Sequence, residues 1–283
     1  MPEPQTLMTG ITFGESPRWH DRLYFADWGT QQLVAVDLEG KSEVVAGVPS
    51  SPFCFDRMPD GRLLIVSGGD GRLLRREPDG SLPTYADLGR LSQYPWNEIV
   101  VDGRGNTYVD NIGFDFPEGE PAPGMLVLVA PDGSIRQVAD GLAFPNGIVV
   151  TPDNSTLIVA ESYGNRLTAF DIADDGDLSN RRVWANVGED HPDGICLDAE
   201  GAVWYADVGT RRCVRVREGG EVLQTVDLDL GCFACMLGGP DGRTLFMVAT
   251  DYDPAAMFDG ERTGRILTTR APSPGAGWPK ADS

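Results

Sequence analysis

The sequence predicts an all-β fold, a six-bladed β-propeller with four-stranded antiparallel blades that forms one domain over residues 1–283. Three observations support this prediction: a repeat of about 40 to 50 residues, strand-like runs between turn residues, and no sustained helical period in the apolar residues. The chain contains 35 glycines, 21 prolines and 41% hydrophobic residues. Because that hydrophobic fraction can form a core, the glycines and prolines indicate many tight turns rather than disorder.

Six segments of the chain resemble one another. They begin at Leu23, Leu63, Thr107, Thr156, Val203 and Thr244. The fourth can be divided into the four strands GIVVT, TLIVAES, RLTAFDI and RRVWAN, and its turns are Pro-Asp-Asn, Tyr-Gly-Asn and Asp-Asp-Gly. Four strands in a repeat of this length are typical of a propeller blade. The stretch up to Phe13 is expected to add a strand to the last blade and to close the ring.

One position heads the shared pattern x-G-I-V-V-x-x-D-G-x-x-L that precedes each of these segments. We call it the slot, and we expect it to face the central axis from the first strand of each blade. In the superimposed repeats the slot holds Glu15, Phe53, Asn97, Asn146, Asp193 and Ala234. Four of these side chains carry oxygen, and they would repel one another or stay unsatisfied unless a cation lay among them.

The sequence therefore predicts a metal site. Its predicted ligands are Glu15, Asn97, Asn146 and Asp193. Carboxylate and amide oxygens favour a hard divalent cation, Ca²⁺ first, with Mn²⁺, Mg²⁺ or Zn²⁺ as alternatives, although zinc more often recruits His or Cys. Four protein ligands would leave room for water or substrate. The structural alternative is that these residues cap turns, but their common register favours a metal.

The residues around the slot resemble the SMP-30/gluconolactonase/LRE-like family of six-bladed propellers. The matching stretches are GESPRW at Gly14–Trp19, WNEIVVDGRGNTY at Trp96–Tyr108, FPNGIVVTPD at Phe144–Asp153, PDGICLDAEGAVWYAD at Pro192–Asp207 and GGPDGRTLF at Gly238–Phe246. The resemblance implies a lactonase, or a related esterase or phosphotriesterase, that binds one divalent cation. It implies that Glu15, Asn146 and Asp193 are metal ligands. It also implies that Asn97 contacts the substrate, the metal or both, and that Asp115 is an acidic substrate contact.

Two positions depart from the family pattern. Many sugar-lactone members have Arg where this chain has Pro95, and Asp where it has Glu98. Without the Arg, the site lacks a bidentate donor suited to hydroxyl or carboxylate groups. Aromatic residues would line the pocket instead: Phe53, Trp96, Phe144, Tyr163 and Phe233. We therefore expect a substrate less polar than a free sugar lactone.

The predicted reaction is the opening of a lactone ring by water activated at the metal, with Asp193 as general base. The predicted substrate contacts are Phe53, Trp96, Asn97, Asn111, Asp115 and Tyr163. Whether His191 or the 113–124 loop takes part is left open. No Gly-x-Ser-x-Gly motif is present, and covalent catalysis is not expected. Two alternatives remain: an aryl-ester or phosphotriester hydrolase with the same site, or a non-catalytic calcium-binding propeller.

Composition sets the expected partners. A formal net charge of −20 disfavours nucleic acid and anionic membranes as partners. The partner that the resemblance implies is a small-molecule lactone or ester, and the oligomeric state is left open. The N-terminal residues lack the basic start and apolar stretch of a secretory signal, which favours a cytoplasmic enzyme. The five cysteines, including the pair Cys232 and Cys235, are expected to be buried thiols.

Overall fold

The structure is a computed structural model that describes residues 2–251 and 262–278. Within this part of the chain, strands β1 to β24 form six four-stranded sheets. The only helical element among these residues is one 3-10 turn, Ser162–Gly164, and no helix there is long and apolar enough to cross a lipid bilayer. The prediction of an all-β, six-bladed β-propeller with four-stranded antiparallel blades is confirmed.

The chain divides into two compact units. Unit 1 comprises Met1–Pro49 and Ala185–Gly277, and unit 2 comprises Ser50–Trp184 and Trp278–Ser283. Each unit contains three of the six sheets, which we number as blades 1 to 6 in chain order. The assignment of residues 1–283 to a single domain stays a prediction.

Unit 1 contains blades 1, 5 and 6. Blade 1 is β2 (Gly14–Trp19), β3 (Leu23–Asp27), β4 (Gln32–Val36) and β5 (Ser42–Gly47). Blade 5 is β18 (Pro192–Leu197), β19 (Val203–Asp207), β20 (Arg212–Val216) and β21 (Val222–Asp227). Blade 6 is β22 (Gly231–Gly238), β23 (Thr244–Thr250), β24 (Gly264–Arg270) and β1 (Gln5–Ile11). The antiparallel pairing of β1 with β24 confirms that the N-terminal stretch supplies a strand to the last blade.

Unit 2 contains blades 2, 3 and 4. Blade 2 is β6 (Phe53–Arg57), β7 (Leu63–Ser67), β8 (Arg72–Arg75) and β9 (Thr84–Asp87). Blade 3 is β10 (Trp96–Val101), β11 (Thr107–Asn111), β12 (Gly124–Val129) and β13 (Ile135–Leu142). Blade 4 is β14 (Pro145–Val150), β15 (Thr156–Glu161), β16 (Arg166–Ile172) and β17 (Leu178–Asn186).

The inner strands of a blade are buried on both faces. The second strand of blade 1, β3, is buried along its whole length, whereas the outermost strand β5 is largely exposed. Strands covered on both sides are apolar throughout instead of alternating, which explains runs such as LLIVS in β7. Within unit 1, β22 packs against β18 and β2, and within unit 2, β10 packs against β6 and β14. The first strands of the three blades in each unit are therefore neighbours.

The pairing of first and second strands fixes which residue occupies the slot. In every blade the last residue of the second strand pairs with the residue just before the slot. These pairs are Asp27 with Gly14, Ser67 with Phe53, Asn111 with Trp96, Glu161 with Pro145, Asp207 with Pro192 and Thr250 with Gly231. By this register the slot residues are Glu15, Cys54, Asn97, Asn146, Asp193 and Cys232. The placement of Phe53 and Ala234 in the slot is wrong.

The error has a structural reason. The superimposed repeats keep a constant spacing between the slot and the turn of the first hairpin. That hairpin is shorter in blade 2, where the pairing ends with Arg57 and Leu63, and longer in blade 6, where it ends with Gly238 and Thr244. Ala234 accordingly lies in the apolar core between blades 6 and 1.

A β-bulge lies beside the slot in five of the described blades. In blade 3, Trp96 pairs with Asn111 and Ile99 with Val109, so β10 advances three residues while β11 advances two. The same kind of shift occurs in β2, β14, β18 and β22, but not in β6. A bulge bends its strand and redirects a side chain, so the slot side chains leave the regular in-and-out alternation.

Candidate active site

In unit 1 the slot residues of blades 1 and 5 are carboxylates. Glu15 is buried, and its Oε2 accepts a hydrogen bond of 3.0 Å from the backbone N–H of Ser16. Ser16 itself has φ 51°, the left-handed conformation that the bulge imposes at this point. Asp193 is the second residue of β18 and is partly buried.

The pKa of the buried thiol of Cys232 is affected by these two carboxylates. A hydrogen bond with Cys213 lowers the pKa of Cys232, but burial and the neighbouring Cys235, followed by the charges of Asp193 and Glu15, outweigh it, so that the pKa is raised. Glu15 and Asp193 both contribute to the raised pKa of this thiol. That thiol is protonated at neutral pH and is not a thiolate ligand.

In unit 2 the slot residues of blades 3 and 4 are amides. Asn97 and Asn146 are each 9% exposed, and Asn97 Nδ2 donates to Asn146 Oδ1 at 3.4 Å. Asn146 Nδ2 donates to Ser162 Oγ at 3.5 Å. Both hydrogen bonds are long and therefore weak, so either amide group can turn its oxygen toward another partner. The predicted pair is thus brought together within this unit.

The donor chemistry of the slot suits a hard cation. The slot residues are carboxylates in blades 1 and 5 and amides in blades 3 and 4, and hard divalent ions take six or more oxygen ligands from carboxylates, amides and water. Among residues 2–251 and 262–278, no group of three or more His, Cys, Asp and Glu side chains is arranged to hold a metal ion. The predicted ligands do not make such a group, because two of the four are asparagines.

The predicted substrate contacts differ in accessibility. Phe53, Trp96 and Asn111 are 0% exposed, so their side chains cannot present a surface to a ligand in this structure. Asp115 is exposed on the loop that follows β11, and Tyr163 is 44% exposed. His191 is exposed, with its Nδ1 3.1 Å from the carbonyl oxygen of Glu189.

The aromatic lining of unit 2 differs from the one predicted. Phe144 and Tyr163 have ring centroids 4.8 Å apart, and Phe116 lies 5.2 Å from Phe144. Phe114 joins them at 5.7 Å from Phe144. We call Phe114, Phe116, Phe144 and Tyr163 the aromatic cluster. Two of its members, Phe114 and Phe116, come from the FDF stretch of the 113–124 loop, and neither is in the aromatic wall predicted from the sequence.

The backbone at Phe144 is strained to make this arrangement. Phe144 has φ 55°, which is rare for a bulky side chain. The strain is held by two backbone hydrogen bonds, from Ser162 N–H to Phe144 O at 2.9 Å and from Tyr163 N–H to Ala143 O at 3.1 Å. Strain of this kind persists only where the surroundings impose it, and it concentrates at functional sites.

A second aromatic group lies beside the slot in unit 1. Phe13 stacks on Trp28 with ring centroids 5.2 Å apart, and it meets the edge of Phe233 at 4.7 Å. Like Phe144 in blade 4, Phe13 stands two residues before the slot residue of its blade. Of these three rings, only Phe233 is in the wall predicted from the sequence.

Two further buried carboxyls adjoin Asn97, and sequence reasoning did not single out either as a functional group. The N–H of Glu98 donates to Asp110 Oδ1 at 3.0 Å, and both side chains are buried. Burial raises the pKa of Asp110 well above its usual value, and the neighbouring charge of Glu98 raises it further. Hydrogen bonds from the backbone of Glu98 and Asn97 lower the pKa but do not cancel the rise. Asp110 Oδ2 has no hydrogen-bond partner in the described part of the chain. Asp110 is therefore a buried carboxyl group next to the slot residue of blade 3, and its raised pKa favours the protonated form.

Known proteins match this chain over most of its length. It is 28% identical to regucalcin of Xenopus laevis over 247 residues, which cover 83% of this chain and 82% of the relative. It is 27% identical to L-arabinolactonase of Azospirillum brasilense over 283 residues, which cover 93% and 82% of the two chains. It is 26% identical to diisopropyl-fluorophosphatase of Loligo vulgaris over 265 residues, with coverages of 83% and 82%.

The fold is shared with a solved structure. A luciferin-regenerating enzyme superimposes with a TM-score of 0.83 over the full length of both chains, at 19% identity. The sequence profile described as the SMP-30/gluconolactonase/LRE-like region matches residues 13–251, a span that begins just before Glu15 and includes all six slot residues. The chain belongs to the SMP-30/gluconolactonase/LRE-like family.

Proposed function

We propose that this protein is a divalent-cation-dependent hydrolase that opens a lactone or a related ester. The observation that carries the proposal is the set of oxygen-bearing slot residues, two carboxylates in unit 1 and two amides in unit 2. Membership of the family supports the same reaction class, since the relatives include an L-arabinolactonase.

We infer that Glu15, Asn97, Asn146 and Asp193 would hold the cation. When bound, a divalent cation polarises a carbonyl oxygen and lowers the pKa of a water molecule. Ca²⁺ fits an all-oxygen donor set best, and the choice among Ca²⁺, Mn²⁺ and Mg²⁺ is part of the proposal.

Asp193 is the proposed general base. It is the more accessible of the two slot carboxylates, because Glu15 is buried and holds the backbone of Ser16. In the proposed reaction water adds to the carbonyl carbon, its proton passes to a carboxylate oxygen of Asp193, and the ring C–O bond breaks. The proton is then returned to the oxygen that leaves.

We infer that the substrate carries an apolar or aromatic group next to its ester bond. The aromatic cluster of unit 2 and the stacked Phe13 and Trp28 of unit 1 both lie next to slot residues. Such rings favour flat apolar groups over the hydroxyl groups of a sugar. The same observation supports a second candidate, the hydrolysis of aryl esters or phosphotriesters, and one relative is a diisopropyl-fluorophosphatase.

Removal and replacement of the cation test the proposal. The purified protein is treated with a chelator, and its turnover is measured on aryl lactones, aryl esters, a phosphotriester and gluconolactone before and after Ca²⁺, Mn²⁺ or Mg²⁺ is added. We expect turnover to disappear with the cation, to return with at least one of the three, and to be faster on aryl substrates than on gluconolactone. A cation that raises the melting temperature without any turnover would favour the non-catalytic calcium-binding alternative.

Replacement of Asp193 tests its role. Asp193→Asn keeps a ligand oxygen but loses the base, so we expect kcat to fall about 10²- to 10⁴-fold while cation binding is weakened but measurable. The matched control is Asp227→Asn, an exposed carboxylate at the end of β21 in the same unit. Turnover that is unchanged in Asp193→Asn would refute the assignment of the base.

A further inference from the structure

The last residue of each second strand occupies an equivalent position in all six blades, because it pairs with the residue before the slot. In the four blades whose slot carries oxygen it is a carboxylate or an amide. These residues are Asp27, Asn111, Glu161 and Asp207. In the two blades whose slot is a cysteine it is a hydroxyl residue, Ser67 or Thr250. All six side chains are buried.

In unit 1 the two carboxylates bind the backbone that leads into the slot. Asp27 Oδ1 accepts the N–H of Phe13 at 3.0 Å, and its Oδ2 accepts the N–H of Thr12 at 3.3 Å. Asp207 Oδ2 accepts the N–H of His191 at 3.3 Å. The backbone is thus held two or three residues before Glu15 in blade 1, and two residues before the slot residue in blade 5.

In unit 2 the last residue of the second strand also binds the backbone before the slot, through an amide in blade 3 and a carboxylate in blade 4. Asn111 Nδ2 donates to the carbonyl oxygens of Tyr94 and Pro95 at 2.8 and 3.0 Å. Glu161 Oε2 accepts the N–H of Ala143 at 2.8 Å. These contacts again lie two or three residues before the slot residue of the blade.

The hydroxyl residues of the cysteine blades bind elsewhere. Ser67 Oγ donates to Asp70 Oδ2 at 3.1 Å, and Thr250 Oγ1 shares a hydrogen bond of 2.9 Å with Thr263 Oγ1. Both partners follow the second strand instead of preceding the first. Among the described residues, the strand-end side chain therefore hydrogen-bonds to the backbone before the slot in the four blades whose slot residue carries oxygen. In the two cysteine blades it hydrogen-bonds to a residue after the second strand.

Fixing the backbone next to a functional side chain fixes the direction of that side chain. Catalytic and metal-binding groups need positions accurate to about 0.5 Å, and a slot residue in a bulge lacks the regular ladder that would otherwise hold it. Outer hydrogen bonds to a metal site orient the ligands in the same way.

We propose that these four strand-end residues, Asp27, Asn111, Glu161 and Asp207, are positioning residues that orient the slot side chains of their own blades toward a cation. This inference rests on the proposed function, because it assigns the slot residues as ligands. It differs from the role predicted for Asn111 from the sequence, which was contact with the substrate.

Ca²⁺ affinity in matched variants tests the proposal. Asp27→Ala removes both contacts to the segment before Glu15, whereas Asp27→Asn keeps one acceptor oxygen for Phe13. Calorimetric titration with Ca²⁺ alone should show affinity reduced about 10- to 100-fold in Asp27→Ala and largely restored in Asp27→Asn. Ser67→Ala and Thr250→Ala truncate the equivalent position in the cysteine blades and should bind Ca²⁺ like the wild type.

A second measurement does not depend on the cation. In metal-free protein, the side-chain amide NMR signal of Asn97 should move in Asn111→Ala and stay in place in Ser67→Ala. If the wild type binds no cation, the proposed function fails, but this signal still decides the positioning role. The proposal is overturned if Asp27→Ala binds Ca²⁺ as tightly as the wild type, if the two controls lose as much affinity, or if the Asn97 signal does not respond. If an Ala variant does not fold, the decision passes to Asp27→Asn, Asn111→Ser and the Asn97 signal.

Discussion

One carboxyl group stands at a position where the other blades have small apolar side chains. Asp110 immediately precedes the strand-end residue of blade 3. The residues at that position in the other blades are Ala26, Val66, Ala160, Ala206 and Ala249. Asp110 holds the N–H of Glu98 inside the bulge that carries Asn97. This arrangement lowers the stability of the folded state, because the second oxygen of Asp110 is buried without a hydrogen bond in the described part of the chain.

The raised pKa of Asp110 predicts a pH-dependent stability difference. Because the pKa is raised by folding, the folded state keeps the proton to a higher pH than the unfolded state does. The contribution of Asp110 to stability therefore falls as the pH rises from its usual pKa through its raised pKa. Asp110→Asn removes this ionisation and keeps an acceptor for Glu98. We expect the free energy of unfolding of Asp110→Asn to rise relative to that of the wild type as the pH increases above the usual pKa of a carboxyl group.

Urea unfolding at several pH values checks this expectation. Asp140→Asn, which replaces an exposed carboxylate of the same unit, is the control and should track the wild type. A constant difference between Asp110→Asn and the wild type at every pH would show that the carboxyl ionises in both states alike.

At the scale of single residues, the sequence predicted which oxygen-bearing side chains are equivalent better than it predicted which side chains are buried. Glu15, Asn97, Asn146 and Asp193 occupy equivalent positions by strand register. Their role as ligands stays a prediction. Burial of an aromatic ring or an amide depends on the neighbouring blade, which a repeat pattern does not reveal. The sequence predicted Phe53, Trp96 and Asn111 as substrate contacts, and all three side chains are buried in the structure.

At the scale of strands and hairpins, the limits of the sequence lie in register. The repeat predicted six blades of four strands because turn residues and apolar runs recur with the blade period. It could not predict the length of each hairpin, since a bulge or an extra pair of residues leaves the apolar pattern intact. Blades 2 and 6 consequently received Phe53 and Ala234 instead of Cys54 and Cys232. An acidic or amide residue ends the second strand in blades 1, 3, 4 and 5, as in ADWG and ADVG. Blades 2 and 6 have Ser67 and Thr250 there, so this signal was missing where the register was wrong.

The N-terminal strand β1 gives the next prediction. It is the outer strand of blade 6, and its last residue, Ile11, is 1% exposed in the core with Phe246 and Ile266. Deletion of residues 2–11 should leave the edge of β24 unpaired and remove this buried side chain. Loss of a buried isoleucine alone costs about 2–5 kcal/mol, so we expect a markedly lower melting temperature.

Complementation distinguishes this effect from a general loss of fold. A synthetic peptide of residues 2–11 should restore the melting temperature of the truncated protein by adding a strand to the free edge, whereas a peptide of the same composition in scrambled order should not. A truncated protein that melts like the full chain would contradict a structural role of β1.

At the scale of the whole molecule, composition and repeat predicted the fold class, and the family followed from motifs distributed along the chain. The net charge of −20 belongs to the same scale, because it disfavours polyanionic partners through the summed field and not through any one residue. The substrate cannot be predicted at this scale. It depends on a few rings, such as Phe114 and Phe116, whose contacts with Phe144 arise only when a loop folds back onto the next blade.

The burial of all five cysteines makes thiol labelling a measure of how often the folded structure opens. None is paired in a disulfide, and every thiol is shielded from solvent. A thiol-alkylating reagent can therefore react only when the surrounding structure opens, and the rate of labelling measures how often that happens. Cys54 belongs to unit 2 and the other four to unit 1. Mass spectrometry of timed alkylation would thus record the opening of each unit separately, without any engineered label.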